Sequence, residues 1–528
     1  MFFSSSIIMK GEKIMKKSLL VLVLLPLLIV SLGGVSQAGQ GRMGGMGDPY
    51  GLLMDESDFL IHPAKIANGE GVRFYGYYRF TYTDVMNWDY ELDLVTPPFV
   101  FYDFDTSGQE YSHDAQVGAA FPLGPGRMGL FFSYNGERGD YSGDEYGWDD
   151  MVGIYANFDY DLNSARDDFA LMLLYGLPVG GFNLGGEVQF AYRQAENKEW
   201  FQRTDLSYGA LNYPAGNFLY NLNLFPFMFP YDSNYWEALL KGSLEGDVGP
   251  LDCEFTLRGG FIFGGDNGYE YEYQSPVGTY VGSYDLDGSV GGWRIGGDLW
   301  MRYPVDSLTL PFLVRVDYQE RTRDGDGAGS GSHAGSFFEY ESTERNLEIE
   351  VGGGVDKALN EGLRIGAGIY YGYLQGAYDI MTSYLNNRGL LTVWDFSKYP
   401  FHTEHRVRVL FSGDWELTPT VALRMGLQPF YGWVREDFAD TYSTSTPTYT
   451  DKDISLNGYH WGIGGSLGGS VQFDSFTMEP FFNVGWQQFD LDGDGETTGT
   501  GGTAPWGMDL SRSEWYIGGG CSFLFNIP

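Results

Sequence analysis

Cysteine is nearly absent. Cys253 and Cys521 are the two in 528 residues, too few to staple so long a chain, so a disulfide-framework protein is excluded. Basic residues are scarce, 32 Lys and Arg against 70 Asp and Glu, which removes the electrostatic footprint of a nucleic-acid binder. Past the N-terminus no stretch approaches about 18 consecutive apolar residues, so no transmembrane helix is expected. Glycine is abundant, 77 residues, but follows no fixed period, which excludes a collagen-like repeat. What is plentiful is aromatic: Phe, Tyr and Trp make up 17 % of a chain with a formal charge of −38. A chain this acidic and this aromatic is not disordered. It calls for two separate surfaces, one apolar and one charged.

Lys16 and Lys17 precede an apolar run from Leu19 to Val30, and Ser36-Gln37-Ala38 precedes Gly39. A basic start, an apolar centre and a small-x-small site read as a secretory signal peptide over 1–38. Without a transmembrane helix, the exported remainder is either soluble or a membrane β-barrel.

From about residue 71 the hydrophobic period is two. Val72, Phe74, Gly76, Tyr78 and Phe80 alternate with Arg73, Tyr75, Tyr77, Arg79 and Thr81. Leu308, Leu310, Phe312, Val314 and Val316 alternate with Thr309, Pro311, Leu313, Arg315 and Asp317. Segments of roughly ten residues with one apolar and one polar face are the signature of transmembrane β-strands. Tight turns, such as Pro122–Gly126, Pro178–Gly181 and Asp247–Pro250, separate them on one side. Long Gly/Asp/Ser-rich stretches near 265–285, 323–343, 379–400, 439–453 and 491–511 separate them on the other. Sixteen strands put every tight turn on one side. The alternating stretch 150–162 is then part of a folded loop between 137 and 167. Eighteen strands, with 150–162 and 97–104 both promoted, is the alternative.

The chain closes on Trp515-Tyr516-Ile517-Gly518-Gly519-Gly520-Cys521-Ser522-Phe523-Leu524-Phe525. This resembles the terminal strand of bacterial outer-membrane β-barrel proteins. Gly520, Phe523 and Phe525 match the spacing of their assembly signal, although Asn526-Ile527-Pro528 follow the usual terminal aromatic. The resemblance implies an all-β, antiparallel up-and-down barrel over 71–528, inserted into the outer membrane by the assembly machinery and in contact with lipid and lipopolysaccharide.

The polar faces of the expected strands are rich in arginine. Arg73, Arg79, Arg127, Arg193, Arg258, Arg294, Arg302, Arg315, Arg321, Arg364, Arg406, Arg408 and Arg424 all fall there, with the acids Glu187, Glu237, Glu254, Asp298, Asp317, Glu348, Glu350 and Glu404. Charged rings lining a pore select ions and orient polar solutes; Arg and Glu also pair across strands and fill an interior. Clustered inner-face glycines, Gly352, Gly354, Gly366, Gly368, Gly464, Gly468, Gly518 and Gly520, leave room for water, an inward loop or the N-terminal segment. Residues 39–70 form a periplasmic tail or a plug. Within them His62-Pro63-Ala64 resembles the Asn-Pro-Ala element in the N-terminal hatch of FadL-type transporters, with one substitution. An apolar cluster over 222–231 folds inward or against the barrel.

Asp490, Asp492, Asp494 and Gly495 match the first half of a calcium-binding loop, and Asp103, Asp105, Ser107 and Gly108 match it more loosely. Calcium in surface loops is the one cofactor these residues suggest. No catalytic motif is present, so an enzyme is not expected. The leading expectation is a porin-like channel for ions or small polar solutes. Its rivals are a plugged, FadL-like transporter and a sheath barrel housing a partner protein. Nothing in the sequence sets the oligomeric state.

Overall fold

The computed structural model describes residues 59–527 except 95–99, 150–153, 209–210, 214–231, 267–268, 276–277, 330–333, 386–390, 445–447, 474 and 500–501. The expected signal peptide and the apolar cluster over 222–231 lie outside the described residues. A short 3-10 helix, Pro63–Asn68, precedes the strands. These are β1 (Val72–Leu94), β2 (Val100–Leu123), β3 (Gly126–Asp149), β4 (Ile154–Val179), β5 (Phe182–Tyr208), β6 (Leu211–Tyr213), β7 (Asp232–Val248), β8 (Leu251–Asp266) and β9 (Tyr269–Ser275). They continue as β10 (Gly278–Val305), β11 (Leu308–Gly329), β12 (Phe337–Asn360), β13 (Leu363–Leu385), β14 (Leu391–Thr418), β15 (Val421–Thr444), β16 (Thr448–Phe473), β17 (Phe476–Gly499) and β18 (Gly502–Ile527).

Among the described residues, sixteen long strands close an antiparallel up-and-down barrel. The short β6 and β9 pair with the outer ends of β5 and β10. Closure joins the first strand to the last, from Val72 opposite Ile527 to Leu94 opposite Trp506. Among the described residues each of the sixteen long strands is paired on both sides, as a hydrocarbon interior requires because it offers backbone groups no other partner.

Alternation decides which face is which. Phe74, Phe132, Leu240, Ile369 and Trp433 are exposed on the outer face, and Phe261 is 70 % exposed. They touch one another only sideways along the outer face, as Phe132 does Phe169 and Trp433 does Tyr431, and lipid is the solvent that suits their outward surface. Their sequence neighbours turn inward and are largely buried. The tight turns after β2, β4, β7, β10, β12, β14 and β16 share a rim with Val72 and Ile527. Short turns and both chain ends mark the periplasmic rim of such barrels.

The opposite rim departs from the sequence expectation. Strands run to 28 residues, although about 9–11 cross a bilayer. The ladders therefore continue well beyond the membrane as paired arms. Residues 154–162 are the outer part of β4, with Ile154 opposite Asp149, not part of a folded loop. Residues 100–104 are the outer part of β2. Neither adds a strand, so sixteen holds and eighteen does not. Gly, Asp and Ser signalled solvent there, but solvated strands still pair when a neighbour continues alongside.

Candidate functional site in the barrel lumen

The segment before β1 turns into the barrel. Gly71 takes a left-handed conformation (φ 61°), which costs glycine nothing and reverses the chain between the 3-10 helix and β1. Pro63 begins the helix, where its missing N–H has no helical partner to lose. Phe59, His62, Ala64 and Ile66 are buried, Ala64 completely. The segment rests on the wall where the wall has no side chains. A Cβ at Gly185 would stand 2.0 Å from the Ala64 backbone nitrogen, and one at Gly129 or Gly176 would stand 2.6 Å from Ile66.

Polar contacts hold the segment in place. The Ala64 N–H donates to Ser243 Oγ at 2.6 Å, and Lys241 Nζ donates to the Leu60 carbonyl at 2.9 Å. Asn68 donates to Glu245 at 2.9 Å and accepts from Asn183 at 2.7 Å. Lys65 Nζ reaches Glu254 Oε2 at 3.0 Å, and Arg302 reaches the other oxygen of that carboxylate. His62 Nδ1 lies 2.6 Å from Thr256 Oγ1, its Nε2 lies 3.5 Å from Glu254, and its ring stands edge-on to Trp300. Burial outweighs the Glu254 charge and lowers the His62 pKa to about 4, so the ring is neutral near pH 7. Apolar contacts complete the seat. Phe59 packs on Tyr75 and Phe131, Ile66 joins Met172 and Leu174, and Ile61 meets Trp300, Leu313, Tyr370 and Leu410. Each such buried side chain contributes roughly 2 kcal/mol.

Beside the segment, the inner-face charges pair across strands. Arg258 contacts Asp298 at 2.5 Å and Asp317 at 2.7 Å. Arg294 also holds Asp317, at 2.8 Å. Arg315 holds Asp298 at 2.7 Å and lies 3.7 Å from Glu350, which Arg408 reaches at 2.5 Å. Arg406 and His460 converge on Glu404. Glu187 pairs with Lys241 at 2.9 Å, Arg364 with Asp356, and Arg424 with Asp414 and Glu479. Arg73 and Arg79 sit on the inner face of β1, opposite Asn526 and Gly520 of β18. The candidate pore residues are thus one network over β7–β14 together with separate pairs elsewhere.

Three expectations change. Four of the clustered glycines do not make free space: Tyr370 covers Gly352, Tyr516 covers Gly464, Asn483 covers Gly518, and Phe481 covers Gly520. Room for the segment comes from Gly129, Gly176 and Gly185 instead, dispersed through the sequence and brought side by side by strand register. Asp490, Asp492 and Asp494 lie on the continuous strand β17, so their carboxylates are strung along one face and do not wrap around a point. The looser match at Asp103 and Asp105 is likewise on β2. Among the described residues no group of three or more His, Cys, Asp or Glu converges as metal ligands. Gly520, Phe523 and Phe525 lie on β18 opposite Arg79, Gly76 and Phe74, at the seam that closes the barrel. The residues missed in the sequence, Lys65, Lys241, Ser243, Thr256 and Trp300, carry no motif; only the N-terminal segment gives them a common contact.

A closed barrel with an apolar exterior and a charged interior, its own N-terminal segment seated inside, defines a bacterial outer-membrane β-barrel. No family model matches the sequence, and no curated protein matches it either. Solved structures do resemble it in shape. The Pseudomonas putida toluene transporter TodX is 12 % identical with a TM-score of 0.36, covering 93 % of this chain and 99 % of that one. A Pseudomonas aeruginosa FadL homologue is 10 % identical with a TM-score of 0.33, covering 94 % of this chain and 100 % of its own. The Ralstonia pickettii toluene transporter TbuX is 10 % identical with a TM-score of 0.33, covering 95 % and 100 %. Identities this low assign no substrate.

Proposed function

We propose that the chain is a plugged outer-membrane transporter, closed at rest by residues 59–68, and not an open general porin. One observation carries this reading: the segment is buried against the inner wall by a hydrogen-bonded backbone, a buried ion pair and two apolar clusters. A tail hanging into the periplasm would make none of these contacts. Cross-strand ion pairing supports it further, because paired charges present less field to passing ions than the unpaired rings of a selective pore.

Planar-bilayer conductance of the detergent-purified mature protein tests the proposal. The intact chain should be silent or flicker briefly, and deletion of 59–68 should give steady open steps. Heat-shifted gel mobility would verify that both are folded barrels. Steady large steps from the intact chain would favour the porin instead.

A further inference from the structure

Between the tip of the N-terminal segment and the wall lies a cavity of about 320 Å³. Leu60, Ile61 and Leu239 form its apolar part, and Arg193, Lys241, Arg258, Arg294 and Arg315 face it together with Glu237, Asp317 and Glu348. Ligand cavities begin at about this size.

The charges are layered. The carboxylates that hold the arginines are the deeper groups: Asp298 is 0 % exposed, Glu237 6 % and Asp317 10 %, against 25 % for Arg193 and Arg315 and 30 % for Arg294. Glu348 is the exception, an exposed carboxylate at the cavity; elsewhere the acids stand behind and the guanidiniums of Arg193, Arg294 and Arg315 in front, so cations outnumber acids on the open surface. Each guanidinium carries five N–H donors in a fixed plane, and its contacts with the acids use only part of them. Arg294 turns Nε and one terminal nitrogen to Asp317 at 2.8 and 2.9 Å, while its other terminal nitrogen lies 4.0 Å from Glu237. The backing acids hold the forks in position, so a ligand need not order them, and a planar carboxylate is the partner that such forks match in pairs.

We infer that this cavity binds a small organic anion, its carboxylate on Arg193, Arg294 and Arg315 and its apolar part on Leu60, Ile61 and Leu239. This inference rests on the transporter reading and names the solute class. A neutral hydrocarbon would gain little here, since it would strip water from several charged groups and return no hydrogen bond. The site uses the N-terminal segment as one wall, so a bound anion also touches the element that closes the lumen.

The test is calorimetric titration of the detergent-purified mature chain with three probes of one size and different charge: benzoate, benzyl alcohol and benzylammonium. Benzoate should bind at least tenfold more tightly than either of the others. Arg294→Gln should weaken benzoate at least fivefold and leave benzyl alcohol unchanged; Arg193→Gln is the second variant should the first not give a heat-modifiable barrel. Equal binding of benzoate and benzyl alcohol, preference for benzylammonium, or no benzoate binding would overturn the inference. Deletion of 59–68 separates the two levels of the proposal. If that deletion opens the channel while the intact chain binds no benzoate, the transporter reading stands and the anion site falls. If the intact chain conducts steadily, the transporter reading fails, whichever probe binds.

Discussion

Lys65 of the N-terminal segment and Glu254 of β8 form a 3.0 Å ion pair whose side chains are 7 % and 0 % exposed. An ion pair so far from water is strongly coupled, because removing one partner leaves the other's charge buried. Arg302 also reaches Glu254, so the carboxylate keeps one cation when Lys65 is lost.

Lys65→Met should therefore weaken docking of the segment by about 2 kcal/mol, less than for a fully orphaned buried charge. That is roughly a thirtyfold rise in the released fraction. Single-channel recording checks it as a higher open probability with unchanged conductance per step. An unchanged open probability would mean that the pair does not hold the segment.

Gly185→Val attacks the same docking by shape alone. A Cβ there would overlap the Ala64 nitrogen and the Pro63 carbonyl carbon, both backbone atoms. The segment must leave its seat, while β5 keeps its pairing with β4 and β7. The expected result is an open channel with wild-type heat-modifiable mobility. A closed channel would place the seat elsewhere.

His62 makes docking sensitive to acid. Glu254 and Asp298 favour its protonation, Lys65 and Arg302 oppose it, and burial decides, bringing the pKa down to about 4. The released segment takes up a proton near pH 6.5, whereas the docked segment refuses it until about pH 4. Docking is fully stable above pH 6.5 and weakens as pH falls from there to about 4, by about 3 kcal/mol in total. Open probability should rise over that window. His62→Gln should remove the rise, and a variant that keeps it would assign the pH dependence to another group.

Arg424 tests the wall apart from the segment. It lies buried between Asp414 and Glu479. Arg424→Met leaves two carboxylates facing each other without that cation, which costs about 3–5 kcal/mol. The temperature at which the barrel unfolds on a heat-shift gel should fall. Adding Asp414→Asn and Glu479→Gln to it should restore most of the loss, and failure of that rescue would point to packing instead of charge.

The barrel was legible in the sequence because a period of two with an apolar face repeats along the whole chain, and lipid exposure demands it of every strand. Parity of the tight turns settled the strand count for the same reason: each pair of crossings must return to the periplasmic rim. The long outer arms were not legible. Residues 154–162 and 100–104 read as loop or as extra strands because composition reports solvent and not pairing, and pairing depends on the neighbouring strand. His62-Pro63-Ala64 hinted at a segment entering the lumen, but its seat was invisible, since Gly129, Gly176 and Gly185 lie on three strands and look like any other strand glycines. The sequence by itself determined an exported, closed, two-faced barrel with arginines on its inner side, since local alternation and terminal signals carry that information. Only the tertiary structure decided that Lys65 meets Glu254, that acids stand behind the arginines and that the lumen is occupied, because each depends on residues brought together by register across strands far apart in the chain.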